Sequence, residues 1–178
     1  MKQHIENIVF SRFVNQPIPF EFISLEELYK RCNMSGYDLS IPHRIAFHAL
    51  LVILEGESTH FIDFKEIPLK TGTIIPLSKD QVHAFHKTPT VKGYVISFEE
   101  GFITKNISEK NLFHFLHIFN TQTILIPKKH LSNLLPFLSL LKSTHDTTIT
   151  AIKSEIINST LMSLFVKFHN IVTHKKLT

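Results

Sequence analysis

Between residues 42 and 98 apolar positions recur in short runs broken by turn residues. The runs are FHALLVIL (47–54), THFIDF (59–64), EIPLKTGTIIPLS (66–78), VHAFH (82–86) and VKGYVISF (91–98). The breaks fall at Gly56-Glu57, Lys70-Thr71-Gly72, Ser78-Lys79-Asp80 and Thr88-Pro89. Strands this closely spaced leave no room for crossover helices, so the pattern predicts antiparallel pairing in a sandwich or barrel. FHALLVIL is apolar on both faces, as a central strand covered on both sides would be. In THFIDF the alternation places Thr59, Phe61 and Asp63 on one face and His60, Ile62 and Phe64 on the other. Pro68 and Pro76 cannot donate to a ladder and mark an edge, a strand start or a bulge.

The flanks read differently. Residues 1–19 show no clear period, and Pro17 and Pro19 predict an extended arm over 14–19. Phe20–Ile23 suits a first strand. Ser24-Leu25-Glu26-Glu27 matches a capping box and predicts a helix over Leu25–Cys32, ended by Asn33-Met34-Ser35-Gly36. After Gly101 the period becomes helical. Leu112, Phe115, Leu116 and Phe119 share a face over 108–120, with Ser108 as cap. TILIP (123–127) is a short extended piece. A helix over 128–144 follows, which Pro136 kinks unless the helix begins only near Ser132. The last helix covers 148–173. Its apolar positions Ile157, Leu161, Leu164, Phe168 and Ile171 step by 4, 3, 4 and 3. That seam suits a coiled-coil-like pair, with the preceding helix or with a second subunit, and is the candidate dimerisation surface. The alternative is that both helices pack on the strands. The expected organisation is an arm, short helix and barrel over 1–103, and a helical dimerisation or linker segment over 104–178.

Composition narrows the class. With 178 residues, 43% apolar and 19% charged, the chain is globular and long enough to build a core. The longest aliphatic run, Ala49–Leu54, is too short to span a bilayer, and the first residues carry no apolar signal segment. A lone cysteine, Cys32, excludes an internal disulfide framework and points to a reducing compartment, the cytoplasm. The net charge of +4 invites a nucleic-acid reading, but the lysines are scattered. The densest pairs, Lys128-Lys129 and Lys175-Lys176, are not interleaved with aromatics, which argues against direct nucleic-acid binding by this chain.

Several motifs in combination resemble the N-terminal cupin-like domain of AraC/XylS-family transcription regulators. They are Pro42-His43-Arg44, the Leu-rich strand ending at Glu55-Gly56, the strand ending at Asp63-Phe64, and Leu69-Lys70-x-Gly72-Thr73. Gln81-Val82-His83 and Lys92-Gly93-Tyr94-x-Ile96-x-Phe98 continue the pattern, as do Phe20-Glu21, Ser24 to Tyr29 and the two trailing helices. The resemblance implies a mainly β fold: a cupin-like antiparallel β-barrel or jelly roll followed by an antiparallel helix pair. It also implies an effector-sensing and dimerising module whose DNA-binding domain, with two helix-turn-helix units, lies beyond Thr178. The implied partners are a small-molecule effector, a second copy of the chain, and DNA only through that further domain, with no membrane.

Metal-binding cupins are similar to one another in a His-x-His pair followed by Glu-x6-Gly, with a later His. Here His43 takes the first position and Gly56 and His83 fit, but Ile45 and Ala49 stand where the second His and the Glu belong. An aliphatic group and a methyl cannot coordinate a metal, so no metal and no cofactor are expected, and catalysis is disfavoured. His114 and His117 lie three apart on a helix and His83 and His86 three apart on a strand, neither pair with a third ligand in the sequence. No nucleophile or phosphate-loop motif is present, and Glu26-Glu27 and Glu99-Glu100 read as capping or solvated positions. By resemblance the effector site lies inside the barrel, with the N-terminal arm able to close over it. Its candidates are Phe20, His43, Phe47, Thr73, His83, Phe85 and Tyr94, and their aromatic content suits a small, partly apolar or aromatic effector. A free-standing cupin enzyme and a ligand-free dimerisation module are the alternatives.

Overall fold

Alternation along one strand sets the architecture. In β4 (His48–Glu55), Ala49, Leu51 and Ile53 point into one core while Leu50 and Val52 point into another. β4 is thus covered on both faces, as its unbroken apolar run predicts. The computed structural model describes residues 5–12, 17–86, 90–105, 107–147 and 152–175. Around β4 lies a sheet in the order β10 (Ile124–Leu125), β7 (Thr73–Leu77), β4, β9 (Lys92–Phe98) and β2 (Phe20–Ser24), with every pairing antiparallel. A second sheet faces it, in the order β1 (Glu6–Ile8), β3 (His43–Ile45), β8 (Val82–Phe85), β5 (Glu57–Ile62) and β6 (Lys65–Lys70). Only its β1–β3 pair is parallel.

The expected strand over 66–78 is split in two at Gly72, whose φ of 90° suits a residue without a Cβ. A Cβ there would also collide with the Ile126 carbonyl. THFIDF ends earlier than its alternation suggests. Asp63 and Phe64 take φ of 44° and 67° and form the two-residue turn between β5 and β6, which leaves Phe64 78% exposed. Phe64 therefore does not share the buried face of His60 and Ile62.

Helix α1 (Leu25–Met34) begins at a formed capping box: the Glu27 amide donates to Ser24 Oγ, and the Ser24 amide donates to Glu27 Oε2, each at 3.2 Å. After β9 come α2 (Glu100–Thr104) and α3 (Glu109–Phe119), the latter capped by Ser108. Pro136 breaks nothing. A 3-10 turn covers Lys128–Asn133, and α4 (Leu135–Asp146) starts so that Pro136 sits in its first turn, where its missing N–H has no partner to lose. The final helix, α5 (Lys153–Lys175), is tied to the end of α4 by Lys153 Nζ, which donates to the His145 and Thr147 carbonyls at 2.7 and 3.0 Å.

Helix α5 packs on both α3 and α4, so the expected helix pair is a three-helix layer over one face of the β4 sheet. Within it Ile157, Leu161, Leu164 and Phe168 are wholly buried, and Ile171 packs against the same cluster. The 3.5-residue seam is therefore filled by this chain's own helices and by Phe20, Phe22, Leu50, Ile96 and Phe98 of the sheet. It offers no open stripe to a second subunit, because a helix in a layer over a sheet needs the same narrow apolar face as one in a coiled coil.

Candidate functional site

The two sheets enclose a cavity of about 70 Å³, closed on one side by α1 and on another by the N-terminal segment. Its walls are mostly aliphatic and aromatic. Register explains the space on the β4 side. Glu21 of β2, Ser97 of β9, Ala49 of β4 and Leu77 of β7 form one row across the sheet, all with side chains toward the facing sheet. Ala49, at the position of the cupin carboxylate, leaves that row with a methyl in the middle.

Glu21 points inward, against the usual rule for a charged strand residue, because α1 supplies its partner. Arg31 Nη1 donates to Glu21 Oε1 at 2.6 Å, and both residues line the cavity. Cys32 and Leu28 of α1 complete that wall. Burial raises the Cys32 thiol pKa, so this cysteine is protonated and unreactive.

The facing sheet contributes imidazoles. His43 and His83 are paired across β3 and β8, with ring centroids 4.4 Å apart, and both line the cavity. His43 Nδ1 donates to the Ile41 carbonyl at 2.8 Å. His83 Nδ1 lies 3.3 Å from Nε2 of His60, a fully buried residue of β5 behind the cavity wall. His83 Nε2 and His60 Nδ1 are buried with no hydrogen-bond partner. Burial lowers the pKa of His43; burial and then the neighbouring His43 and His60 lower that of His83 well below its ordinary value. Burial, followed by His43, brings His60 to about 3. All three rings are neutral at pH 7. Among the described residues no three His, Cys, Asp or Glu side chains are grouped to hold a metal ion.

Four of the seven expected ligand-site residues meet at this cavity: His43, Phe47, His83 and Phe85. Phe47 is met edge-on by Phe10 from the N-terminal segment, with centroids 5.3 Å apart, and Ile8 of β1 adds to the same side. The other three lie elsewhere. Phe20 is on the opposite face of its strand, among the helices. Thr73 accepts the Lys70 amide at 3.0 Å and closes the β6–β7 turn. Tyr94 lies tilted against Phe22, with ring centroids 4.7 Å apart, and borders an open groove of about 860 Å³ between α1 and the ends of β4 and β9. That groove is larger but lies on the surface, and it lacks the enclosure of the inter-sheet cavity.

Glu21, Arg31 and Ser97 were not among the sequence candidates. Glu21 follows an apolar residue in a strand of alternating Phe, which places it opposite Phe20 and Phe22. That was the available signal. The helical histidines also gain a neighbour that spacing along one helix cannot supply. His169 of α5 sits beside both His114 and His117 of α3, with its Nδ1 3.0 Å from His117 Nδ1.

The sequence profile of the AraC-like ligand binding domain matches residues 33–162. No curated protein matches the chain. Among solved structures, an apo variant of ToxT from Vibrio cholerae strain SCE256 is similar at 11% identity over 86% of this chain and 57% of that one, with a TM-score of 0.46. A second ToxT structure from Vibrio cholerae gives 12% identity over 85% of this chain and 55% of that one, with a TM-score of 0.43. The plu4264 protein of Photorhabdus luminescens gives 14% identity over 48% of this chain and 68% of that one, with a TM-score of 0.32. The chain spans little more than half the length of the ToxT chains it matches. Among the described residues no helix is long and apolar enough to cross a membrane. Because the profile covers most of the sequence, from the end of α1 through the first half of α5 with every strand but β1 and β2, the chain belongs to the AraC-like ligand-binding domain family, the effector-sensing part of AraC-type transcription regulators.

Proposed function

We propose that a small, partly apolar or aromatic effector binds in the cavity between the two sheets, and that its binding controls a DNA-binding domain attached beyond residue 178. The observation that carries this reading is the enclosed apolar space at Ala49, walled by buried polar groups on both sheets and lined in part by the family-matched residues. The cavity is about half of the roughly 150 Å³ that accepts a benzene ring in a well-studied case. A ring-sized effector therefore displaces Phe10 and the N-terminal segment, which is how occupancy is registered.

A second route runs through the β4 sheet, whose strands carry the cavity on one face and the helix layer on the other. Spreading Ala49 and Ser97 shifts Leu50 and Phe98 against α3 and α5. The chain acts as a binding module and not as an enzyme, since Ile45 and Ala49 face the cavity where a cupin metal would need ligands. It works in the cytoplasm, where the single thiol of Cys32 stays reduced. Homodimerisation belongs to this reading, through surface outside the buried seam of α5.

The test is a thermal-shift screen of small aromatic and aliphatic compounds against the chain and against Ala49→Leu, which fills the cavity. Compounds that stabilise the wild type and lose their effect in the variant support the site. Compounds that stabilise both equally place the effector elsewhere.

A further inference from the structure

Three histidines outside the cavity meet where α5 lies on α3. The ring of His169, on α5, is 4.5 Å from that of His114 and 4.6 Å from that of His117, both on α3. The two helices are packed through Phe115, Ile118 and Phe119 on one side and Leu161, Leu164 and Phe165 on the other, all buried. The placing of the rings is therefore set by a close-packed core and not by the rings themselves. A ligand set shared between two elements needs that rigidity.

His117 Nδ1 and His169 Nδ1 are 3.0 Å apart. Two imidazole nitrogens, each about 2.0–2.1 Å from one ion, lie about 2.9 Å apart when they subtend 90° there and about 3.3 Å apart at the tetrahedral angle. The observed spacing is that of neighbouring ligands on a square-planar or octahedral ion, the geometry of copper(II) and nickel(II) and not of tetrahedral zinc. Both residues are part-exposed, so water can fill the other positions. Among the described residues no third His, Cys, Asp or Glu is grouped with them to hold an ion. His114 does not supply one, because both of its nitrogens are buried. Its ring walls the pair on one side, and Phe113, 5.4 Å from His169 and 6.1 Å from His117, walls it on another.

We propose that His117 and His169 form a two-imidazole site for a divalent late-transition ion, copper(II) or nickel(II), that ties α5 to α3. Without the ion the two nitrogens share one proton in a hydrogen bond. Binding moves that proton from Nδ1 to Nε2 of the ring that carries it, which keeps both rings neutral and gives both Nδ1 lone pairs to the ion. Copper(II) heads the divalent series for nitrogen ligands and is the tightest of these ions. The site is independent of the cavity between the sheets and gives the helix layer an input of its own.

The experiment adds copper(II) chloride, below one equivalent, to the isotopically labelled chain at pH 7.5 and follows backbone amides by NMR, since a paramagnetic ion broadens the nuclei near it. The amides of Phe113, His114, His117 and His169 are expected to lose intensity first, with those of His43, His83 and His130 unaffected. Calorimetry gives a second reading. His117→Asn and His169→Asn each weaken copper binding roughly tenfold or more, while His130→Asn, at an exposed histidine on another element, leaves it unchanged. Should a variant fail to fold, the wild-type broadening pattern decides alone. Broadening that begins at His130 or at histidines elsewhere, or an affinity unchanged in both α3 and α5 variants, means an adventitious ion only and overturns the site. No broadening below one equivalent also overturns it, and leaves His117 and His169 as a plain hydrogen-bonded pair.

Discussion

Ser97 and Phe98 are consecutive on β9 and serve different compartments: Ser97 lines the cavity between the sheets, while Phe98 is fully buried against Phe115, Phe119 and Phe165 of the helix layer. Strand geometry alone enforces this division, since successive side chains leave a strand on opposite faces. The cavity and the helices therefore share one layer of backbone. Any ligand that moves β9 or β4 sideways presses on α3 and α5, because close-packed cores pass displacement on instead of absorbing it.

The seam of α5 is a folding core. Leu164 has no exposure and sits in the same cluster as Leu161, Phe165 and Phe168. Leu164→Ala is expected to cost about 2–5 kcal/mol, and Leu164→Asp to unfold the chain, by burying a charge with no partner. Circular dichroism and sedimentation velocity check this. A folded, monomeric Leu164→Asp would instead place the seam between subunits.

The Arg31–Glu21 pair holds α1 against the open edge of the cavity. Arg31→Ala leaves the Glu21 carboxylate largely buried, but Arg31 itself is 38% exposed at its side chain, so solvent moderates the loss. A cost of about 1–2 kcal/mol is expected, or roughly 3–6 °C in Tm. Glu21→Gln combined with Arg31→Ala should be less damaging than the two changes summed. Additive costs in that double-mutant cycle would show that the pair is not coupled.

Much of this was legible in the chain. The strands from 47 to 98 follow from alternation and turn residues, and the capping box at Ser24 from four residues, whereas the helix expected over 128–144 starts only at Leu135. The family followed from motifs spread over nearly the whole length. What alternation does not reveal is which apolar face meets which layer. Phe20 and Phe22 are the larger side chains of β2, yet they face the helices, and Glu21 faces the interior because α1, which begins four residues on, brings Arg31 to it. The same limit hid His60 and His169, whose neighbours come from other elements. β1 was missed because three residues that pair in parallel with β3 carry no period of their own. The Asp63-Phe64 turn was missed because Phe in a left-handed conformation has no local signal.

Buried imidazoles give the fold an acid limit. His60 has a folded-state pKa near 3 against an ordinary 6.5, so the unfolded chain takes up the proton first. Stability is intact above about 6.5 and falls as pH drops from there toward 3. Each such histidine contributes at most about 1.4 kcal/mol per pH unit, and His43, His48 and His83 shift in the same direction. Urea midpoints at pH 7, 6 and 5 should therefore decline, and less steeply in His60→Leu. Midpoints that do not change across this window would show that the imidazoles are solvated.

The cap of α1 is worth a separate measurement, because that helix forms one wall of the cavity. Ser24→Ala removes the acceptor for the Glu27 amide and should cost about 1 kcal/mol, or roughly 2–4 °C in Tm. Hydrogen bonds from the Ser24 side chain and then its backbone hold the Glu27 pKa below its usual value, so the benefit is present above that value and is lost as pH falls. An unchanged Tm in Ser24→Ala at pH 7 would mean that the cap is satisfied by water.

The central claim is that the effector is held between the sheets. Titrating the isotopically labelled chain with phenol and following backbone amides by NMR tests it most directly. The account predicts that the largest shifts fall at His43, Ala49, His83 and Ser97, which belong to both walls of the cavity. Shifts confined to Lys30, Lys92 and Tyr94, on the open groove beside α1, would contradict it.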